Sequence, residues 1–296
     1  MRTDVRFPSS GMTLAGHLYT PDNPVTEPLP AIVVGHPFTG VKEQTSGLYA
    51  QRLADKGFIA LAFDAAYQGE SEGLPRGLEN PFQRAEDVRN AVSYLTTRDD
   101  VDSERIGALG ICASGGYVPF AAQTDNRMKA VATVSAVNLS PFMAAFPDYD
   151  AMLAGAGRLR SEEAAGREPK MSSPLPESVD ASTPAAMQEF FEYYRTPRAQ
   201  HPRSTGYYVQ RSLDQLAQYD SYATLHLLAP RPLLMIAGTA AETLPFSQIG
   251  VEQAGSNAEL FTIEGATHVD LYDVDEYVTP AVAKLTEFFG ERLSQV

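Results

Sequence analysis

Short apolar runs alternate with amphipathic segments along much of the chain. Residues 31–34, 58–63 and 106–111 are continuous apolar runs of strand length, and the segments at 46–56 and 86–95 carry apolar residues at helical spacing. Continuous apolar strands that alternate with amphipathic helices are typical of a parallel sheet covered on both faces. The sequence therefore predicts an α/β fold with a mostly parallel, doubly wound sheet.

Further elements extend this pattern at both ends of the chain. Two strands at 4–7 and 13–19, on either side of a Ser-Ser-Gly turn, predict an N-terminal antiparallel hairpin. Beyond the third apolar run, the predicted order is a helix at 115–123, a strand at 129–135, a strand at 232–237, a helix at 246–254, a strand at 259–263 and a helix at 280–293.

The alternation fails between residues 138 and 228, where prolines, alanine-rich pieces and charged stretches interrupt it. We predict an inserted cap or lid region at 138–228 and an α/β core formed by 1–137 and 229–296. The aromatic and methionine residues of the insertion are compatible with a small satellite core or with the wall of an apolar substrate pocket, and general burial preferences favour the core. They are Phe142, Phe146, Tyr149, Met152, Phe190, Phe191, Tyr193 and Tyr194.

Composition narrows the classes of partner. The 296 residues have a formal net charge of −14, which repels nucleic acid and anionic lipid surfaces. A single cysteine argues against a disulfide-stabilised secreted fold, and no apolar stretch of signal-peptide or membrane-spanning length is present. We expect a cytoplasmic protein that acts on a small molecule, with no nucleic-acid or membrane partner; a homodimer is compatible with the sequence.

The single cysteine lies in the sequence GICASGG at 110–116, where an apolar run meets a glycine pair and then a helical pattern. An α/β hydrolase carries its nucleophile at such a junction, in the pattern Gly-x-Ser-x-Gly. Here Cys112 takes the serine position and Ser114 the position of the second glycine. Spacing favours Cys112 as the nucleophile, and the alternative is that Cys112 is a small buried apolar residue while Ser114 attacks.

A catalytic triad on this fold follows the chain order nucleophile, acid, histidine. His268 follows a late strand and precedes the last helix, which is the position of the general base. Glu242 lies in the loop after the strand at 232–237, where an orienting carboxylate belongs, although an isolated loop glutamate is usually solvated. We predict a Cys112, or alternatively Ser114, triad with Glu242 and His268.

The loop after the first apolar run reads HPFTG at 36–40 and is expected to contribute to an oxyanion hole. Pro37 has no N–H, so Phe38 is the predicted donor from this loop, and Ala113 is the predicted donor that follows the nucleophile. The histidines show no paired metal-ligand spacing, and no glycine-rich nucleotide fingerprint is present. The sequence therefore predicts no cofactor and no metal.

Several longer motifs together resemble those of a known family. The chain resembles α/β hydrolases of the dienelactone-hydrolase-like superfamily, and more closely the group that includes fungal polyketide transferases and thiohydrolases. The resemblance covers nearly the whole chain and rests on GHP at 35–37, GVKEQ at 40–44, DAAYQGES at 64–71, GICASGGY at 110–117 and GATHVDLY at 265–272. The Cys-His-Asp triad of dienelactone hydrolases implies roles for Cys112 and His268, whereas Glu242 stands where such families usually carry aspartate.

These observations predict an enzyme that hydrolyses an ester, a lactone or a thioester through a covalent acyl-enzyme. Transfer of the acyl group to an acceptor other than water is the second hypothesis, in line with the resemblance to polyketide transferases. A catalytically silent binding protein on the same fold is the third, since a fold does not determine a function.

Overall fold

The computed structural model describes residues 1–22 and 27–294. Its strands are β1 (Arg2–Ser9), β2 (Met12–Tyr19), β3 (Leu29–Gly35), β4 (Ile59–Phe63), β5 (Val101–Ile111), β6 (Met128–Val134), β7 (Met171–Ser172), β8 (Tyr208–Val209), β9 (Leu233–Gly238) and β10 (Ala258–Ile263). Its α-helices are α1 (Thr45–Ala54), α2 (Pro81–Thr96), α3 (Ser114–Thr124), α4 (Leu139–Ala144), α5 (Tyr149–Ala164), α6 (Ala185–Arg195), α7 (Leu213–Leu216), α8 (Leu244–Ala254), α9 (Asp270–Asp273) and α10 (Asp275–Arg292).

One central sheet of eight strands has the order β1-β2-β4-β3-β5-β6-β9-β10. The pairs β1–β2 and β2–β4 are antiparallel, and the other neighbouring pairs are parallel. The predicted α/β fold with an N-terminal antiparallel hairpin is therefore confirmed.

Two hydrophobic cores cover the two faces of this sheet, as the continuous apolar runs require. Along β3, Ile32 and Val34 lie in one core and Ala31 and Val33 lie in the other, and all four are fully buried. Successive side chains of a strand point to opposite faces, so a strand with helices on both sides needs apolar residues at every position. Both cores therefore fix the strands whose carboxyl ends carry the site.

The region predicted as an insertion separates two strands that are neighbours in the sheet. The chain leaves the sheet at the end of β6 and returns at β9, which pairs with β6 in parallel. Between them lie the helices α4 to α7 and the short antiparallel pair β7–β8. Within residues 1–22 and 27–294, none of the helices is both long enough and apolar enough to cross a membrane.

The carboxyl ends of the parallel strands bring four loops together. The loops after β3, β5, β9 and β10 carry, in that order, Phe38, Cys112, Glu242 and His268. Ligands of open α/β sheets bind outside the carboxyl ends of the strands. The topology thus gathers the predicted site residues at one edge of the sheet, below the insertion.

Candidate active site

Cys112 stands in a sharp turn between β5 and α3. Its φ is +55°, in the left-handed region that a residue with a side chain rarely adopts. The turn is also tight, because a Cβ added to Gly110 would lie 2.0 Å from the main-chain oxygen of Ser114. Such a strained strand-to-helix turn is the geometry that exposes the nucleophile of an α/β hydrolase.

The sulfur of Cys112 is buried among hydrogen-bond donors. The main-chain N–H groups of Phe38 and Ala113 and the hydroxyl of Tyr272 are close enough to the sulfur to lower the pKa of the thiol. Burial raises the pKa of the thiol, and these three groups act in the opposite direction without cancelling the effect of burial. The thiol is therefore neutral at neutral pH, and the N–H groups of both predicted oxyanion donors are close to the sulfur.

His268 lies beside Cys112 in the loop after β10, and its side chain is 4% exposed. Its Nδ1 lies 2.6 Å from the hydroxyl of Thr243, and its Nε2 lies 3.0 Å from the hydroxyl of Tyr272. Burial lowers the pKa of the ring to about 3. The imidazole is thus neutral at rest, with a partner on each nitrogen.

In the described part of the chain, Glu242 is not the partner of the histidine that the sequence predicts it to orient. Glu242 is exposed, whereas its neighbours Ala241 and Thr243 are buried, so the loop turns the carboxylate outward and the threonine inward. The hydroxyl on Nδ1 of His268 belongs to Thr243, and no hydrogen bond or ion pair joins Glu242 to His268 in the described part of the chain. A glutamate turned inward would bury its charge without a cation beside it, which is costly.

Ser114, the alternative nucleophile, has other partners. Its hydroxyl donates to the main-chain oxygen of His36 at 2.6 Å, and a guanidinium nitrogen of Arg84 lies 3.4 Å from it. The side chain is buried at the start of α3. The geometry therefore gives Ser114 a place in the packing between β3 and α3, and brings Cys112 rather than Ser114 to His268.

Two buried basic residues hold the loop that carries Phe38. Arg84 donates to the main-chain oxygen of His36 at 2.8 Å. Lys42 donates to Asp64 at 2.9 Å, and both side chains are at most 1% exposed. Buried charges that are paired in this way keep a loop in one arrangement, because breaking the pair leaves a charge uncompensated. The motifs around Lys42 and Asp64 thus support the oxyanion loop rather than the reacting atoms.

Sequence reasoning missed two residues at the site, Thr243 and Tyr272. Tyr272 belongs to α9 and is fully buried, and its ring packs at 5.3 Å from the ring of His268. The signal was its spacing, because Tyr272 follows His268 by four residues in the motif GATHVDLY. Thr243 gave no comparable signal, since a threonine next to a glutamate in a loop is ordinary.

An apolar cavity of about 50 Å³ opens at Cys112 and His268. A neighbouring cavity of about 220 Å³ shares His268 and reaches the carboxylates of Glu189 and Glu242. The insertion supplies most of the apolar wall of the first cavity through Phe142, Phe146, Leu175, Met187, Phe190 and Tyr194. Phe142, Phe146 and Phe190 also pack against the core, and Tyr193 and Tyr194 are buried within it, so the aromatic residues of the insertion serve both core and pocket.

Known proteins resemble this chain over most of its length. Residues 14–147 match the model of the dienelactone hydrolase family. The uncharacterised Escherichia coli protein YcjY is 41% identical over 99% of this chain and all of its own length. The crystal structure of the hypothetical protein PA2218 from Pseudomonas aeruginosa superposes with a TM-score of 0.92 at 34% identity, covering 99% of this chain and 94% of that one. The thiohydrolase aneE of Aspergillus aculeatus is 33% identical over 57% of this chain and 51% of its own.

Proposed function

Because the chain belongs to the dienelactone hydrolase family of α/β-hydrolase enzymes, we propose that it hydrolyses an ester or a lactone through a covalent acyl-enzyme on Cys112. The observation that carries the proposal is the position of one sulfur atom. It lies at a strained turn and close to two main-chain N–H groups, and the tyrosine hydroxyl near it is hydrogen-bonded to a buried histidine. This arrangement holds a nucleophile, an anion site and a base together.

Each residue has a defined part in the reaction. The sulfur of Cys112 attacks the carbonyl carbon as its proton is drawn toward His268, and the carbonyl oxygen takes over the N–H groups of Phe38 and Ala113. The negative charge that develops on this oxygen is stabilised by donors already in place. His268 then returns the proton to the leaving group, and later activates the water that releases the acid. Thr243 holds the ring through Nδ1.

The two cavities indicate the class of substrate. The cavity at Cys112 has a volume of about 50 Å³, which holds roughly four water-sized groups. It therefore suits a short, uncharged acyl group. The larger cavity suits the leaving group, and the carboxylates of Glu189 and Glu242 line it. These carboxylates repel a phosphate-bearing thiol such as coenzyme A. The site thus favours a neutral ester or lactone over a thioester of that kind.

Acyl transfer to an acceptor other than water is the second candidate, and the apolar lining of the cavity at Cys112 favours it. A site that excludes water allows an acyl-enzyme to wait for another nucleophile. Product analysis with p-nitrophenyl acetate in the presence of butanol separates the two reactions. If the enzyme is a hydrolase, acetic acid is the main product. A ratio of butyl acetate to acetic acid above the concentration ratio of butanol to water indicates transfer.

The test of the nucleophile compares Cys112→Ala with Ser114→Ala on p-nitrophenyl acetate. We expect Cys112→Ala to abolish turnover and Ser114→Ala to retain it. Mass spectrometry of the wild type, quenched during turnover, should find an acetyl group on the peptide that holds residue 112. Both candidates lie close in sequence, so fragment ions must assign the acetyl group, and its location on Ser114 would refute the proposal.

The substrate class has its own test. p-Nitrophenyl acetate should be hydrolysed with a higher kcat/KM than the octanoate ester, because the cavity at Cys112 holds few atoms. Acetyl-coenzyme A should be a poor substrate. The double variant Glu189→Gln/Glu242→Gln should raise kcat/KM for acetyl-coenzyme A relative to that for p-nitrophenyl acetate. Equal rates for the two esters, or efficient cleavage of acetyl-coenzyme A by the wild type, would contradict the assignment.

A further inference from the structure

The hydroxyl of Tyr272 lies between the two groups that the proposed mechanism joins. It is 3.0 Å from Nε2 of His268, and it is close enough to the thiol of Cys112 to lower the pKa of that group. Within residues 1–22 and 27–294, no direct hydrogen bond links Cys112 to His268. Cys112, Tyr272 and His268 line the same cavity, so the phenol offers the proton of the thiol a route to the ring.

Packing fixes this hydroxyl in place. The ring of Tyr272 is fully buried and lies edge-on to the ring of Tyr193, with the centroids 4.9 Å apart. It also contacts the rings of Tyr194 and His268. A side chain enclosed on several sides by aromatic rings has few other rotamers open to it. The phenol is thus part of the rigid site rather than a mobile lid.

When Nε2 of His268 is the base, the hydrogen bonds around it run in one direction, from Cys112 through Tyr272 and His268 to Thr243. The neutral ring of His268 carries one proton, and Nδ1 presents it to the hydroxyl of Thr243 when Nε2 serves as the base. Nε2 then accepts the O–H of Tyr272, and the phenol oxygen keeps its lone pairs for the S–H of Cys112. Every donor in this line has an acceptor.

We propose that Tyr272 is a catalytic proton relay between Cys112 and His268, an inference that rests on the proposed function. As the sulfur bonds to the carbonyl carbon, the S–H proton moves to the phenol oxygen and the phenol proton moves to Nε2. The phenol ends the step neutral, the ring becomes an imidazolium and the carbonyl oxygen carries the negative charge. When the bond to the leaving group breaks, the imidazolium returns its proton to Tyr272, which passes its own to the leaving atom.

A relay and an obstruction make opposite predictions. If Tyr272 merely separated Cys112 from His268, its hydroxyl would have to be bypassed before attack, and removing it would leave the thiol as reactive as before or more so. If it conducts the proton, removing it disconnects the thiol from its base. The reactivity of the thiol therefore distinguishes the two.

The experiment measures alkylation by iodoacetamide as a function of pH, with turnover of p-nitrophenyl acetate beside it. Because Cys112 is the single cysteine, the alkylation rate reports on this thiol alone. The variants are Tyr272→Phe, His268→Ala and the matched control Tyr219→Phe. Tyr219 is another buried tyrosine, whose hydroxyl has no hydrogen-bond partner in the described structure and whose ring lies against Phe120, outside the apolar cavity.

We expect Tyr272→Phe and His268→Ala each to lower the alkylation rate at pH 7.5 and kcat at least tenfold, and Tyr219→Phe to change neither by more than about twofold. If His268→Ala lowers both rates and Tyr272→Phe lowers neither, the relay is refuted while the proposed function stands. If His268→Ala also leaves both rates unchanged, the proposed function fails together with the relay.

A second substitution covers the case in which Tyr272→Phe fails to fold. Incorporation of 3,5-difluorotyrosine at position 272 keeps the hydroxyl and most of the packing but makes the phenol more acidic. A relay requires the pH profile of alkylation to move toward lower pH, because the proton passes through that oxygen. An unchanged profile in a folded protein would overturn the proposal, since a purely structural hydroxyl does not respond to its own acidity.

Discussion

Replacing Thr243 by valine removes the hydroxyl that lies 2.6 Å from Nδ1 of His268 while keeping the shape of the side chain. Thr243 is 8% exposed and His268 is 4% exposed, so little water can replace the lost partner. The matched control is Glu242→Gln, which neutralises the exposed carboxylate on the adjacent residue. Together the two variants ask whether the threonine or the glutamate orients the base.

The size of the effect follows from the burial of the ring. Leaving a buried N–H without a partner costs about 1–3 kcal/mol. The cost is greatest when the ring becomes charged during attack, because hydrogen bonds from a charged donor are roughly twice as strong as neutral ones. The low pKa of His268, about 3, shows how strongly this pocket disfavours the imidazolium. We therefore expect Thr243→Val to lower kcat/KM by about 10- to 100-fold, with Glu242→Gln within about twofold of the wild type.

The assay is initial-rate hydrolysis of p-nitrophenyl acetate at pH 7.5, with thermal unfolding to verify that both variants are folded. Thr243→Ser should recover most of the activity, because it restores a hydroxyl at the same position. A larger loss in Glu242→Gln than in Thr243→Val would refute the reasoning and return the orienting role to the glutamate.

Three further outcomes test other parts of the structure. Ser114→Ala should lower the free energy of unfolding by about 1 kcal/mol in urea titrations, because the hydrogen bond to the main-chain oxygen of His36 is lost; an unchanged unfolding midpoint would contradict this. The pKa of His268 is about 3 in the folded protein, against a reference value of 6.5 for the unfolded chain. Between these values the unfolded chain binds a proton that the folded protein does not, so the contribution of His268 to stability is present above pH 6.5 and is lost as pH falls toward 3. The wild type should lose about 2–3 kcal/mol more stability than His268→Phe between pH 7 and 4.5, and parallel titrations would argue against a buried neutral ring. Lys42→Met should destabilise the fold by about 3–5 kcal/mol, since it leaves Asp64 buried and unpaired, and Asp64→Asn in the same chain should restore much of this; a stable single variant would show that the pair is not needed.

The regular part of the fold follows from the sequence because each central strand is buried on both faces. Such strands must be apolar at every position, and they are recognised in the sequence as short continuous apolar runs between glycine, proline and charged residues. Element boundaries were less accurate. The helix predicted to begin at residue 86 begins at Pro81, where the side chain of Asn80 accepts the N–H groups of Phe82 and Gln83. This Asn-Pro start is a recognised helix signal that the apolar spacing alone does not show.

The last helix shows the opposite error. The sequence predicts this helix at 280–293, with Pro280 as its first residue. The helix instead begins at Asp275 and contains Pro280 in its second turn. Asp275 and Glu276 lie in the first turn, where negative charge is stabilised by the helix dipole. Pro280 has no N–H to donate to the main-chain oxygen of Glu276, so the helix accommodates it at the cost of one hydrogen bond.

The site could be predicted only as far as chain order reaches. Order after the strands placed Cys112, His268 and Phe38 at one edge of the sheet. It could not tell which of two adjacent loop residues, Glu242 or Thr243, turns inward, because that depends on the path of a loop whose burial alternates residue by residue. Nor could it assign the insertion to core or pocket, since both interpretations require the same apolar residues.

The buried, protonated state of the Cys112 thiol affects how easily oxidants can damage the enzyme. Peroxide attacks the thiolate far more readily than the thiol, and the first product, a sulfenic acid, is usually rescued by a second thiol. Cys112 has no second cysteine in its chain, so a resting thiolate would be exposed to irreversible damage. Burial raises the pKa of this thiol and keeps the sulfur in its less oxidisable form between turnovers. The enclosure that shapes the substrate cavity thus also protects the nucleophile from oxidants.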